Sequence, residues 1–126
     1  MDVKQVQGQI DMISRLPRWT PEQMERLLTS CPYAIEQKTQ ESINAQLAYE
    51  QAKHECQTVY AKLKLESIKL KERKELSSEG DRDNWVKVQP DYLDAVKKEM
   101  AAKEVWLNIN VQLEKYKDIF IAVRKF

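Results

Sequence analysis

Val3, Val6, Ile10, Ile13 and Leu16 recur every three or four residues, the spacing that lines one face of an α-helix. Pro17 closes this first stretch. Thr20-Pro21-Glu22-Gln23 then reads as a helix start: Thr20 caps, Pro21 suits the first helical position, and Gln23 stands where a capping box wants Glu or Gln. Met24, Leu27 and Leu28 give this second short helix its apolar side. Cys31-Pro32 is expected to end it, because a residue before proline avoids the α region.

From Tyr33 to Ser77 the chain holds neither Gly nor Pro. Ile35, Ser42, Tyr49, Cys56, Leu63 and Leu70 stand seven apart, and Ala45, Ala52 and Val59 repeat the interval on the neighbouring seam. A heptad register predicts a helix that supercoils against a partner. At ~1.5 Å per residue it would reach about 65 Å. The seam is thin, since Ser42, Ala45 and Ala52 allow close approach but little burial.

Ser77 to Asn84 is the stretch richest in helix breakers, and Trp85-Val86-Lys87-Val88 alternates like a short extended piece. Gln89-Pro90-Asp91 opens the last helix. There Tyr92, Glu99, Trp106, Leu113 and Phe120 keep the seven-residue interval, as do Ala95, Ala102, Ile109, Tyr116 and Val123. Glu99 is the one defect. Two heptad helices joined by a loop of about a dozen residues are expected to fold back as an antiparallel hairpin. The expectation is an all-α, coiled-coil-like hairpin in a single domain: short helices in 1–32, a long helix over 33–77, a loop over 78–91 and a long helix over 92–126. Trp106, Ile109, Leu113, Tyr116 and Phe120 form its seam. Val96, Met100, Leu107 and Val111 make a second stripe, which suggests a further neighbour and a homo-oligomer.

Composition agrees with this outline. Two glycines and four prolines in 126 residues exclude a turn-rich β-sandwich or barrel. No apolar run approaches the ~20 residues a membrane span needs, and Met1-Asp2-Val3-Lys4 leads into an amphipathic stretch rather than a signal core. A soluble cytoplasmic chain with no membrane partner is expected. Cys31 and Cys56 are too few for a disulfide framework and read as free, partly buried thiols. His54, the single histidine, shares no helix face with Cys56, so no metal site is expected. Asp81 and Asp83 open like a calcium loop, but Val86 and Tyr92 stand where that loop requires Gly and Glu. No cofactor motif and no nucleophile–His–acid arrangement occurs, so the chain is not expected to be an enzyme.

Charge adds the one candidate for chemistry. The net charge is +1, yet residues 61–75 carry six basic and three acidic groups. The candidate nucleic-acid-binding residues are Lys62, Lys64, Lys69, Lys71, Arg73 and Lys74, with Tyr60 and Trp85 as flat faces for unstacked bases. Lysines and arginines displace the counterions condensed on a phosphate backbone, and aromatic faces favour single strands over duplex. The competing reading is an ordinary solvated helix end, since cations suit a helix C-terminus and Glu66, Glu72 and Glu75 interleave with them.

Short N-terminal helices, a long Ala-rich helix ending in Lys62-Leu63-Lys64-Leu65-Glu66, a Gly80-Asp81 turn and a second long helix with spaced aromatics together resemble the UvsY-like recombination mediators of T-even phages. Lys62, Lys64 and Glu66 match that family's alternating basic, apolar and acidic element. The resemblance covers roughly residues 34–126; residues 1–32 have no counterpart in it. It implies a non-enzymatic, phage- or prophage-encoded protein of the host cytoplasm that binds single-stranded DNA. It further implies contacts to a recombinase and a single-strand binding protein, DNA recombination as the process, and ring-like homo-oligomers. The alternative class is a coiled-coil structural or assembly adaptor, such as a phage structural protein or a chaperone-like hairpin.

Overall fold

A computed structural model describes residues 2–72, 76 and 78–125, apart from the side chain of Lys71. Four helices follow in order: α1 (Val3–Ser14), α2 (Pro21–Glu72), α3 (Glu79–Lys87) and α4 (Pro90–Arg124). The protein is all-α, an antiparallel helical hairpin with shorter helices attached.

Local signals account for most helix ends. Asp2 and Gln5 form a reciprocal capping box at α1. At α2 the Gln23 backbone N–H donates to the Thr20 hydroxyl at 3.2 Å, while the Thr20 N–H donates to the Gln23 side chain at 2.9 Å. Each box satisfies two backbone donors that a helix start leaves orphaned.

Two boundaries differ from the sequence expectation. The helix beginning at Pro21 does not end at Cys31-Pro32 but runs through Pro32 to Glu72, so the second short helix and the long helix are one. An interior proline forfeits one backbone hydrogen bond and costs about 3 kcal/mol. Packing on both sides of the exposed Pro32 opposes a break: Leu27, Cys31 and Ala34 are all fully buried. Leu28, placed on the apolar side from sequence, is exposed.

The second difference is α3. Residues 79–87 are helical, and Trp85-Val86-Lys87-Val88 is not extended. An extended piece needs a strand to pair with, and the described residues contain none. Ser78 instead caps a helix by accepting from the Asp81 N–H at 3.0 Å. Glu79 and Asp81 in the first turn and Lys87 in the last complement its dipole.

The chain divides into two compact units, Met1–Asn44 with Trp106–Phe126, and Ala45–Val105. The first has a core of bulky side chains. Val6, Ile10 and Ile13 of α1 meet Leu27, Cys31 and Ala34 of α2 and Tyr116 and Val123 of α4, with Trp19, Met24, Ile35, Ile119 and Phe120 around them. Burying a side chain such as Ile10 or Leu27 contributes roughly 1.5–3 kcal/mol. The Trp19 indole N–H donates to the Ile13 carbonyl at 2.9 Å, closing the turn between α1 and α2. Lys115 of α4 pairs with Asp11 of α1 at 2.8 Å.

In the second unit the buried positions are Ala45, Cys56, Leu63, Ser67, Val86 and Ala95. Facing pairs give the chain sense: Cys56 lies against Glu99 and Tyr60 against Tyr92, so α4 numbers fall as α2 numbers rise. Every heptad position read from α2 and α4 is buried or half-buried, from Ile35 to Leu70 and from Tyr92 to Val123. The seam residues Leu113 and Tyr116 are buried, and Trp106, Ile109 and Phe120 half-buried. The second stripe behaves otherwise: Val96 is half-buried, but Met100, Leu107 and Val111 are exposed.

Candidate nucleic-acid interface

The end of α2 presents two different faces. Lys62, Leu65 and Lys69 sit at i, i+3 and i+7, which places them on one side of a helix. All three are exposed, Leu65 to 65%. Neither lysine forms an ion pair among the described residues. This is an outward strip in which an apolar side chain, Leu65, and a carboxylate, Glu66, lie between two cations.

The inner face is organised around a carboxylate from α3. Asp83 Oδ1 accepts a hydrogen bond from the Tyr60 hydroxyl, and Lys64 Nζ lies 3.9 Å from the same oxygen. Asp83 Oδ2 is 3.0 Å from Lys87 Nζ, one helical turn further along α3. Lys64 also stands 6.0 Å from the centre of the Tyr60 ring, and that ring meets Tyr92 at 5.9 Å and 59°. The Tyr60 hydroxyl and then Lys87 hold the Asp83 carboxyl below its ordinary pKa. The same bonds push the Tyr60 phenol up and the Lys87 ammonium up.

Of the eight residues expected to contact nucleic acid, the five whose side chains are described, Tyr60, Lys62, Lys64, Lys69 and Trp85, are not one patch. Lys62 and Lys69 face water. Tyr60 and Lys64 are engaged with Asp83, so Tyr60 is not the open flat face expected from sequence; the cause is that α3 folds against α2 instead of forming a loop. Trp85 is half-buried on α3, where its carbonyl accepts from the Gln89 side chain at 2.9 Å. Lys71 belongs to α2, but its side chain lies outside the described residues, as do Arg73 and Lys74 altogether.

Asp83, Lys87 and Arg82 escaped sequence reasoning. A signal was present: Asp83 and Lys87 stand four apart, a stabilising pair on a helix. It was hidden by the alternating pattern of Trp85 to Val88.

The remaining reactive groups are inward. Burial raises the Cys31 thiol to about 11. Cys56 is raised by burial first and then by donating its thiol hydrogen to Glu99. Both cysteines are free and buried. Among the described residues no group of three or more His, Cys, Asp or Glu is placed to hold a metal ion. No helix among them is long and apolar enough to cross a membrane. Comparison with protein-family models, curated proteins and solved structures finds no match to this chain.

Proposed function

We propose that the protein is a non-enzymatic single-stranded DNA-binding accessory factor whose contact surface is the outward end of α2. The observation that carries this reading is the strip of Lys62, Leu65 and Lys69. A single strand offers phosphates and unstacked bases side by side, and two exposed cations flanking an exposed leucine match both. Glu66, exposed on the same side, sets a carboxylate between the two cations and leaves Leu65 on the strip's other edge. The resemblance of Lys62, Lys64 and Glu66 to the element in UvsY-like mediators supports the same reading. It extends the proposal to a phage or prophage recombination role in the host cytoplasm, with a recombinase and a single-strand binding protein as partners and a homo-oligomer as the working form.

The test is fluorescence anisotropy of a labelled oligothymidine across a salt series, with light scattering in parallel. Lys62→Ala with Lys69→Ala is expected to weaken binding and flatten the salt slope by about 0.7 for each phosphate that is no longer neutralised. No binding at low salt, or binding indifferent to both changes, rejects the reading.

A second reading is a coiled-coil adaptor, favoured by one observation: Met100, Leu107 and Val111 leave an apolar stripe of α4 exposed, Val111 to 69%. Such a protein would oligomerise with no salt-dependent affinity for DNA, and Leu107→Lys would dissociate it.

A further inference from the structure

We propose that the Asp83 carboxylate is an internal stand-in for a backbone phosphate: seated on Tyr60 and Lys64, it latches α3 over part of the DNA-binding end of α2 until a strand displaces it. The inference rests on the single-stranded DNA reading above and names a regulation of the same site.

Tyr60 and Lys64 of α2 both aim at Asp83 Oδ1, one by a hydroxyl hydrogen bond and the other as a cation at 3.9 Å. A hydroxyl and an ammonium converging on one oxygen are the donors a phosphodiester oxygen takes, because both favour an anionic acceptor. Lys87 binds the other carboxylate oxygen from within α3, and so holds Asp83 ready without tying it to α2. The cradle is thus complete on α2 alone, and the anion filling it arrives on a separate short helix.

A second, independent observation concerns how firmly that helix is held. Of its nine residues, Val86 is the buried one. Arg82, beside Asp83, has its Nε and Nη1 shielded from water with no hydrogen-bond partner among the described residues. Orphaned buried donors cost free energy that returns when they reach water. Any opening that brings these nitrogens to water relieves that cost, and the Asp83 contact works against it. Release uncovers the Tyr60 ring for a base and Lys64 for a phosphate on the inner face of α2, a second contact beside the outward strip of Lys62 and Lys69.

The experiment compares wild type, Asp83→Asn, Asp81→Asn and the double change Asp83→Asn with Lys64→Ala, using labelled oligothymidine over a salt series. Asp83→Asn is expected to tighten binding about tenfold, the size of one charge-assisted hydrogen bond gained, and to steepen the salt slope by about 0.7. Asp81→Asn removes the same charge from the exposed side of the same helix and is expected to change affinity much less. Removal of Lys64 in the double variant should cancel the gain. On wild-type protein, hydrogen–deuterium exchange of residues 79–87 should accelerate when oligothymidine is added. Equal gains from Asp81→Asn and Asp83→Asn, a gain that survives removal of Lys64, or unaltered exchange in 79–87 would each overturn the latch. If wild type binds through Lys62 and Lys69 while Asp83→Asn gains nothing, the latch fails and the DNA reading stands. If no variant binds at low salt, both fail.

Discussion

The Ser42 hydroxyl donates to the Asn110 side-chain oxygen at 2.5 Å, joining residues 68 apart on α2 and α4. Both residues are half-buried. Their pairing fixes which turn of α4 lies beside this turn of α2. Ser42→Ala leaves the Asn110 oxygen without its donor and should cost about 1 kcal/mol, read as a lower urea midpoint with an unchanged slope. A midpoint within error of wild type would show that the bond does not contribute.

Leu27 is 0% exposed and touches the cluster built by three helices. Leu27→Ala should destabilise by about 2–5 kcal/mol, the forfeited burial plus the cavity left behind. Leu28→Ala, one residue away but exposed, should cost under about 0.5 kcal/mol. Thermal melts of the two variants side by side check the contrast.

Pro32 is exposed and interrupts the backbone ladder of α2. Pro32→Ala restores the missing donor and removes the ring, so stability should rise by about 1–3 kcal/mol. A fall in melting temperature would mean that the proline ring itself contributes packing that α2 requires.

Alkaline pH should weaken the first unit. Burial raises the Cys31 thiol to about 11 and the Tyr116 phenol to about 12 in the folded chain. Both groups bind their protons more tightly folded than unfolded, so their contribution is complete below the ordinary thiol value near 9.0 and is lost as pH climbs toward 11 and 12. Urea midpoints measured from pH 8 to 11 should fall, and Cys31→Ala should make the fall shallower. In native protein at pH 8, Cys31 should react with a thiol reagent only as fast as the unit opens.

The fold was legible where residue spacing and packing agree. In α4 the intervals from Tyr92 to Phe120 and from Ala95 to Val123 are all inward. In α2 the same is true even of Ser42, Ala45 and Ala52, since a heptad marks direction whatever the side chain's bulk. Even Glu99 keeps the register: it is half-buried and faces Cys56. Pro32 misleads because a local backbone preference is outweighed by the burial of Leu27, Cys31 and Ala34. The candidate site was legible only in its outward half. Lys62 and Lys69 follow from local charge, whereas the engagement of Tyr60 and Lys64 depends on Asp83, brought from 23 residues away by a helix whose sequence alternates like a strand.

The uneven filling of the two units has a consequence for how the molecule breathes. Where Ile10, Leu27 and Tyr116 interlock, opening a turn exposes large apolar surfaces to water; at Ala45 and Ala95, away from Leu63 and Val86, little is exposed. Amides around Ala45 and Ala95 should therefore open and reclose many times before those near Leu27 open once, leaving those turns the more supple stretches of the two long helices.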